Sequence, residues 1–162
     1  EEHSFLMEKE LIIELGRSLI ANSGILITRI IDIKESGQKT FLITDGGMNC
    51  FLRPVFMDII HPIFNINRLE EDCNKTYDIA GPLCTPIDVL GKDINLPESK
   101  KDDLIGIFNA GAYGYSMSIT EFLGHDSPAE ILVTENGIYK IRDNITMDDR
   151  LLKQFIPAEL FD

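Results

Sequence analysis

The sequence predicts a mainly β domain, closed or sandwiched, entered through the last piece of a larger α/β layer. Three observations carry this. Short runs rich in β-branched residues recur along most of the chain, Gly, Asn and Pro punctuate them, and the opening strand–helix unit has no earlier strand to pair with.

In order, EEHSFLMEKELIIEL reads as a helix tail running into an apolar strand at residues 11–15. Gly16 ends that strand, and RSLIANSG reads as a short helix closed by Gly24. A lone strand–helix unit cannot satisfy its own edges, so residues 1–23 are expected to finish a larger layer. ILITRIIDIK (residues 25–34) and TFLITD (residues 40–45) follow as strands joined by the turn ESGQK. TYDIA and LIGIF add two more. EILVT and IYKIR flank Glu135-Asn136-Gly137, and Asn-Gly between apolar runs signals a hairpin. Near the C-terminus Thr146 is placed to cap a helix, with Asp149 three positions on and Leu151, Leu152 and Phe155 as its apolar side.

The composition narrows the function classes. A chain of 162 residues with 44% hydrophobic residues suits one soluble domain. The longest apolar run is broken by Thr28, Arg29 and Asp32, which excludes a membrane-spanning helix there, and no charged-then-apolar leader opens the chain. A net charge of −12 repels phosphate backbones and argues against a nucleic-acid partner. Cys50, Cys73 and Cys84 form no CxxC pair and no metal-type spacing with the histidines. Free thiols in a reducing cytoplasm are the expectation, with no metal and no membrane partner.

Four segments can carry chemistry. Glu14-Leu15-Gly16-Arg17 sits where the expected strand gives way to helix, a position whose backbone N–H groups suit a phosphate. Gly16 allows close approach and Arg17 can bind bidentately. Taken alone, a surface Glu–Arg pair around a glycine is the plainer account. Gly81-Pro82-Leu83-Cys84-Thr85-Pro86-Ile87-Asp88 holds a thiol on a loop stiffened by two prolines, from which it can donate a proton. For an isolated cysteine a structural role is commoner. Asp88 is expected to cap a turn starting VLGKD. Asn109-Ala110-Gly111-Ala112-Tyr113 clears space around a phenol, or simply fills a glycine-rich bend. Arg53, expected in a loop after TFLIT, can clamp a carboxylate, with a solvated arginine as the default. His61 and His125 are expected to be structural, and Lys100-Lys101-Asp102-Asp103 a solvated turn.

The order of these segments is more telling than any one of them. E-x-G-R, then DGGMN…RP…HP, then GPLCTPxDxLGKD, then NAGAYGYSMS resembles the C-terminal region of the fold-type III pyridoxal-phosphate (PLP) decarboxylases, the diaminopimelate/ornithine/arginine group. The likeness runs from about Leu11 to Val133. It implies a Greek-key β-barrel domain over residues 24–162, preceded at residues 1–23 by the end of a PLP-binding (β/α)8 barrel. It further implies a homodimer with shared active sites and α-decarboxylation through an aldimine and a quinonoid.

Carried over by position, the resemblance gives Glu14 to the pyridinium nitrogen, and Gly16 and Arg17 to the cofactor phosphate. Tyr113 falls beside the cofactor and Arg53 on a substrate carboxylate. Cys84 becomes the proton donor in the partner's site. Two positions depart from the diaminopimelate pattern: Thr85 stands where a glutamate usually follows the cysteine, and Met57 where a tyrosine is usual. GPLCTPxDxLGKD with EFLGH is similar to a subgroup that decarboxylates an amino acid tethered to an acyl-carrier protein, so both substrate classes stay open. The Schiff-base lysine belongs to the upstream barrel, and Lys92 in LGKD matches no such position. The chain alone should therefore be inactive. A catalytically inactive homologue acting as a regulatory binding protein is the alternative.

Overall fold

A computed structural model describes residues 9–10, 12–157 and 160. Helix α1 (Gly16–Ile20) runs into a 3-10 turn at Ala21–Ser23, and Gly24 closes the pair in extended conformation. The expected strand before it is not formed. Leu11 lies outside the described residues, as does the helix tail at residues 1–8, and residues 12–15 join no strand among the described residues. Apolar Ile12 and Ile13 are exposed, because no described strand offers a ladder to receive them.

The long strand β1 (Ile25–Ser36) organises the sheet by serving two partners in turn. A hairpin turn at Gly37, whose φ of 61° suits glycine, returns it into β2 (Lys39–Thr44). Then come α2 (Arg53–Met57), β3 (Ile63–Asn65), β4 (Lys75–Ala80), β5 (Val89–Leu96) and β6 (Leu104–Phe108). The six strands lie in the order β3-β6-β1-β2-β4-β5. Residues 25–29 of β1 pair with β6 and residues 30–36 with β2, with a bulge between Ile30 and Asp32. That bulge lets one strand turn the corner of a strongly coiled sheet. β2 and β4 run parallel, while the other neighbours are antiparallel. The end strands β3 and β5 also touch, so the sheet nearly closes on itself as a barrel.

Inside lie Ile30, Leu42, Phe51, Ile63, Ile79, Leu90, Leu96, Ile105 and Ile107, with Tyr77 at the edge of the cluster. Each contributes about 1.5–3 kcal/mol by leaving water. Two segments expected as turns belong to this body. VLGKD is the first half of β5, where Gly91 gives room for the Ile63 side chain and Asp93 takes a left-handed φ of 53°. The turn at Lys100-Lys101-Asp102 is exposed, but Asp103 is buried. Its carboxylate accepts from Arg68 Nε (2.6 Å), Asn65 Nδ2 (2.9 Å) and the Lys100 N–H (2.9 Å). Burial pushes the Asp103 pKa up, but Arg68, Asn65 and that N–H outweigh it and hold it below the ordinary value.

Beyond β6 come α3 (Gly114–Met117), the separate hairpin of β7 (Glu130–Thr134) and β8 (Gly137–Arg142), and α4 (Met147–Leu151). The hairpin turns at Asn136-Gly137 as expected, and Thr146 and Asp149 close a reciprocal capping box. Leu151, Leu152 and Phe155 do not form a packed side. All three are exposed, since none meets a partner surface within the described residues. None of the described helices is long and apolar enough to cross a membrane.

Candidate active site

A cleft of about 730 Å³ opens where α1, the start of α2 and the segment after β6 meet. Its walls include Glu14, Gly16, Arg17, Arg53, His61, Asn109 and Tyr113. Five of the six residues to which the resemblance gives a site role, drawn from three separate stretches of the chain, thus share one cavity.

The close approach of two glycines builds it. The Gly111 N–H donates to Ala21 O (3.0 Å) and the Ala110 N–H to Gly24 O (2.9 Å), pinning the post-β6 segment to the end of α1. A Cβ at Gly24 would overlap the Gly111 backbone, and one at Gly111 would overlap Ile20 O. The chain then turns through Tyr113 at a left-handed φ of 62° and sets the phenol against α1. A Cβ on Gly16 would lie 3.3 Å from the Tyr113 hydroxyl, so glycine leaves that contact open. The Arg17 guanidinium sits 5.2 Å from the Tyr113 ring centroid and reaches Ala112 O at 3.5 Å.

Arg53 stands at the first residue of α2, not in the expected loop, with Pro54 fixing the first turn. The preceding Leu52 N–H donates to Ser118 Oγ (3.1 Å), whose hydroxyl donates to Gly114 O (2.6 Å), so α2 and α3 are tied together under the cleft. Partial burial and the nearby Arg53 cation lower the Arg17 pKa, with Tyr113 pulling the other way. Two guanidiniums feeling each other's charge make this cleft attractive to anions despite the acidity of the whole chain.

His61 is a wall residue that sequence reasoning left as structural, and it is that as well. It is 5% exposed, its ring meets Phe51 edge-on at 4.8 Å, and its Nδ1 bonds to Phe108 O at 2.9 Å. Burial pushes its pKa down, the bond to Phe108 opposes this, and Arg53 and Arg17 push the same way as burial. A neutral ring with the proton on Nδ1 satisfies the Phe108 carbonyl and leaves a lone pair on buried Nε2, which has no partner among the described residues. The sequence signal was only His-Pro, which does not distinguish this from an ordinary turn.

Cys84 does not line this cleft. It is exposed on residues 81–88, between β4 and β5. Pro86 and Ile87 of that loop border a second hollow of about 500 Å³, which shares Ile59, Ile60 and His61 with the first. Asp88 is not the cap of a following turn. It is 2% exposed, and its oxygens accept from the Met48 N–H (2.7 Å) and the Leu83 N–H (2.9 Å). Cys50 is half-buried, and desolvation pushes its thiol up to about 11. The described residues hold no group of three or more His, Cys, Asp or Glu placed to bind a metal.

Comparison with known proteins decides the lineage. The family model for the C-terminal sheet domain of pyridoxal-dependent decarboxylases, the ornithine, diaminopimelate and arginine group, matches residues 15–111. The chain belongs to this family. Among curated relatives of this decarboxylase domain, the diaminopimelate decarboxylase of Archaeoglobus fulgidus is 35% identical over 153 residues, 94% of this chain and 36% of that protein. The L-glutamyl-[BtrI acyl-carrier protein] decarboxylase of Niallia circulans is 40% identical over 151 residues, 88% of this chain and 35% of that protein. The crystal structure of M. jannaschii diaminopimelate decarboxylase superposes with a TM-score of 0.82 at 33% identity, covering 89% of this chain and 32% of that one. The chain therefore spans about a third of the length of the relatives it matches.

Proposed function

We propose that this domain completes a PLP-dependent amino-acid α-decarboxylase, supplying cofactor and substrate contacts to one site and a proton donor to another. The observation that carries it is the convergence of Glu14, Arg17, Arg53 and Tyr113 on one cleft. The donor set fits the cofactor: two guanidiniums for a phosphate and a carboxylate, one carboxylate for a ring nitrogen, and a phenol set over open glycine.

Bound there, PLP would accept the electron pair released as the bond to CO2 breaks. Glu14 would keep the ring nitrogen protonated. Arg17 and the open backbone at Gly16 hold the phosphate, with Tyr113 beside it. Arg53 grips a substrate carboxylate and orients the amino acid. The Cys84 thiol would pass its proton to the carbon that CO2 leaves, where it joins the electron pair left by the broken bond, and the thiolate would regain a proton from water. Because Cys84 is exposed and away from this cleft, it serves the cleft of a second subunit in a head-to-tail homodimer. Residues 1–23 would finish the (β/α)8 barrel and residues 24–162 form the sheet domain. The bare Ile12, Ile13, Leu15, Leu19 and Ile20 are surfaces that such a barrel would cover.

Thr85 beside the thiol and Met57 at the end of α2 are poor partners for the charged far end of diaminopimelate. They suit an amino acid presented on an acyl-carrier protein, as in the N. circulans relative. The test is full-length protein assayed for a cofactor absorbance that borohydride fixes to a lysine outside residues 1–162. CO2 release is then measured from diaminopimelate and from carrier-bound glutamate. Absorbance with release from the carrier-bound substrate is expected; a clean protein with neither would sink the assignment. Mixing Cys84→Ala with a variant lacking the cofactor lysine should restore roughly a quarter of wild-type activity, since random heterodimers carry one intact shared site.

A further inference from the structure

The loop that presents Cys84 is tied down from inside by one buried carboxylate. Asp88 Oδ2 accepts from the Leu83 N–H, the residue just before the cysteine, while Oδ1 accepts from the Met48 N–H in the turn that precedes α2. The base of the loop is closed separately by Gly81 N–H to Asp88 O (2.9 Å) and Asp88 N–H to Thr85 O (3.2 Å). Two glycines make the seat, since a Cβ at Gly47 or at Gly81 would land inside the Asp88 carboxylate. Leu83 is buried on one side of the cysteine, and Pro86 and Ile87 are exposed on the other. The thiol is thus thrown outward from a fixed point.

A buried anion whose hydrogen-bond donors, among the described residues, are two backbone N–H groups is a costly way to brace a loop. The carboxylate does what a neutral side chain cannot: its two equivalent acceptors bridge donors arriving from two separate loops. An amide in its place has one acceptor, and its NH2 would face the other N–H.

We propose that Asp88 is the positioning residue for the Cys84 thiol, fixing the height and direction from which the proton is delivered into the neighbouring site. This rests on the assignment of Cys84 as proton donor. Asp88 touches neither substrate nor cofactor, and acts by denying the loop other conformations. A proton donor of fixed direction reaches one face of the reacting carbon, whereas a loose one shares the work with water arriving from either side.

The experiment uses full-length protein loaded with PLP, in D2O, with diaminopimelate, or with carrier-bound glutamate if only that reacts. Wild type should place deuterium at one of the two positions on the product carbon, read by NMR. Asp88→Asn should keep the cofactor absorbance and hold KM within about two-fold. Its kcat should fall roughly ten- to hundred-fold, part of what a positioned acid supplies, with label at both positions. Gly47→Ala, which crowds the same carboxylate from the other loop, should act in the same sense and serves if Asp88→Asn does not fold. A lower melting temperature with wild-type kcat per folded site and one-sided label, in either variant, would mean that Asp88 is only structural and would overturn the proposal. Unchanged turnover and labelling in Cys84→Ala would instead overturn the donor assignment beneath it. Failure to decarboxylate either substrate would remove both.

Discussion

Replacing Gly111 with alanine tests how the cleft is built. The new Cβ would lie inside van der Waals contact of Ile20 O, Gly24 N and Ala21 O, all backbone atoms that cannot swing aside. Overpacking costs about 1–3 kcal/mol, and rigid neighbours place this site near 3. Gly111 is not at positive φ, so alanine gains about 0.4–1 kcal/mol by restricting the unfolded chain. The net loss is about 2 kcal/mol, or roughly 4–8 °C in Tm for a domain of this size. Relief requires the segment after β6 to lift from α1. That opens the bonds at Ala21 O and Gly24 O and draws Tyr113 off Arg17. Gly114→Ala is the control: it lies three residues on with nothing within 4 Å of its added Cβ, and should be neutral or slightly stabilising. Differential scanning calorimetry of the two variants reads the difference, and near-UV tyrosine circular dichroism reads the displaced phenol. If Gly111→Ala melts at or above wild type, the glycine contact does not hold the cleft together.

Other outcomes follow from the same geometry. At pH 8, iodoacetamide should label the exposed Cys73 and Cys84 first, while Cys50, half-buried and with its thiol raised to about 11, lags well behind; peptide mass spectrometry showing Cys50 adducts as early as the other two would contradict that shielding. His61 has a folded pKa below its ordinary 6.5, so the unfolded chain takes up the proton first as pH falls. Its contribution is complete above pH 6.5 and is lost on acidification towards the folded value. His61→Gln should therefore flatten the fall of Tm between pH 7 and 5. Asp103→Ala removes the acceptor shared by Arg68, Asn65 and the Lys100 N–H, while Arg68 keeps Glu71 and Asn65 keeps Ser99; it should cost about 1–3 kcal/mol, measured by urea denaturation, and a change under about 0.5 kcal/mol would show that the cluster is screened by solvent.

Much of the fold was legible because it is written locally. The β-branched runs at β1, β2, β4 and β6 are strands, Asn136-Gly137 makes its hairpin, and Thr146 with Asp149 makes its capping box. β5 was hidden because Gly91 and Asp93 look like turn residues. They are needed there for the approach of Ile63 and for a left-handed step, neither of which is visible without the partner strands. Conversely, the apolar run at residues 12–15 looks like a strand but is none here, because a strand is defined by its neighbours.

The sequence by itself determined the lineage and the identities of the chemical groups, since E-x-G-R, the thiol between two prolines and the glycine-flanked tyrosine are properties of the chain order. Tertiary structure alone decided which of them meet. Glu14, Arg17, Arg53 and Tyr113 share a cleft while Cys84 faces elsewhere, and Asp88, read locally as a turn cap, joins two loops forty residues apart. The physical reason is that convergence depends on long-range backbone approach, at Gly24 against Gly111 and Gly47 against Gly81, and no local propensity encodes which distant segment fills the space a glycine leaves.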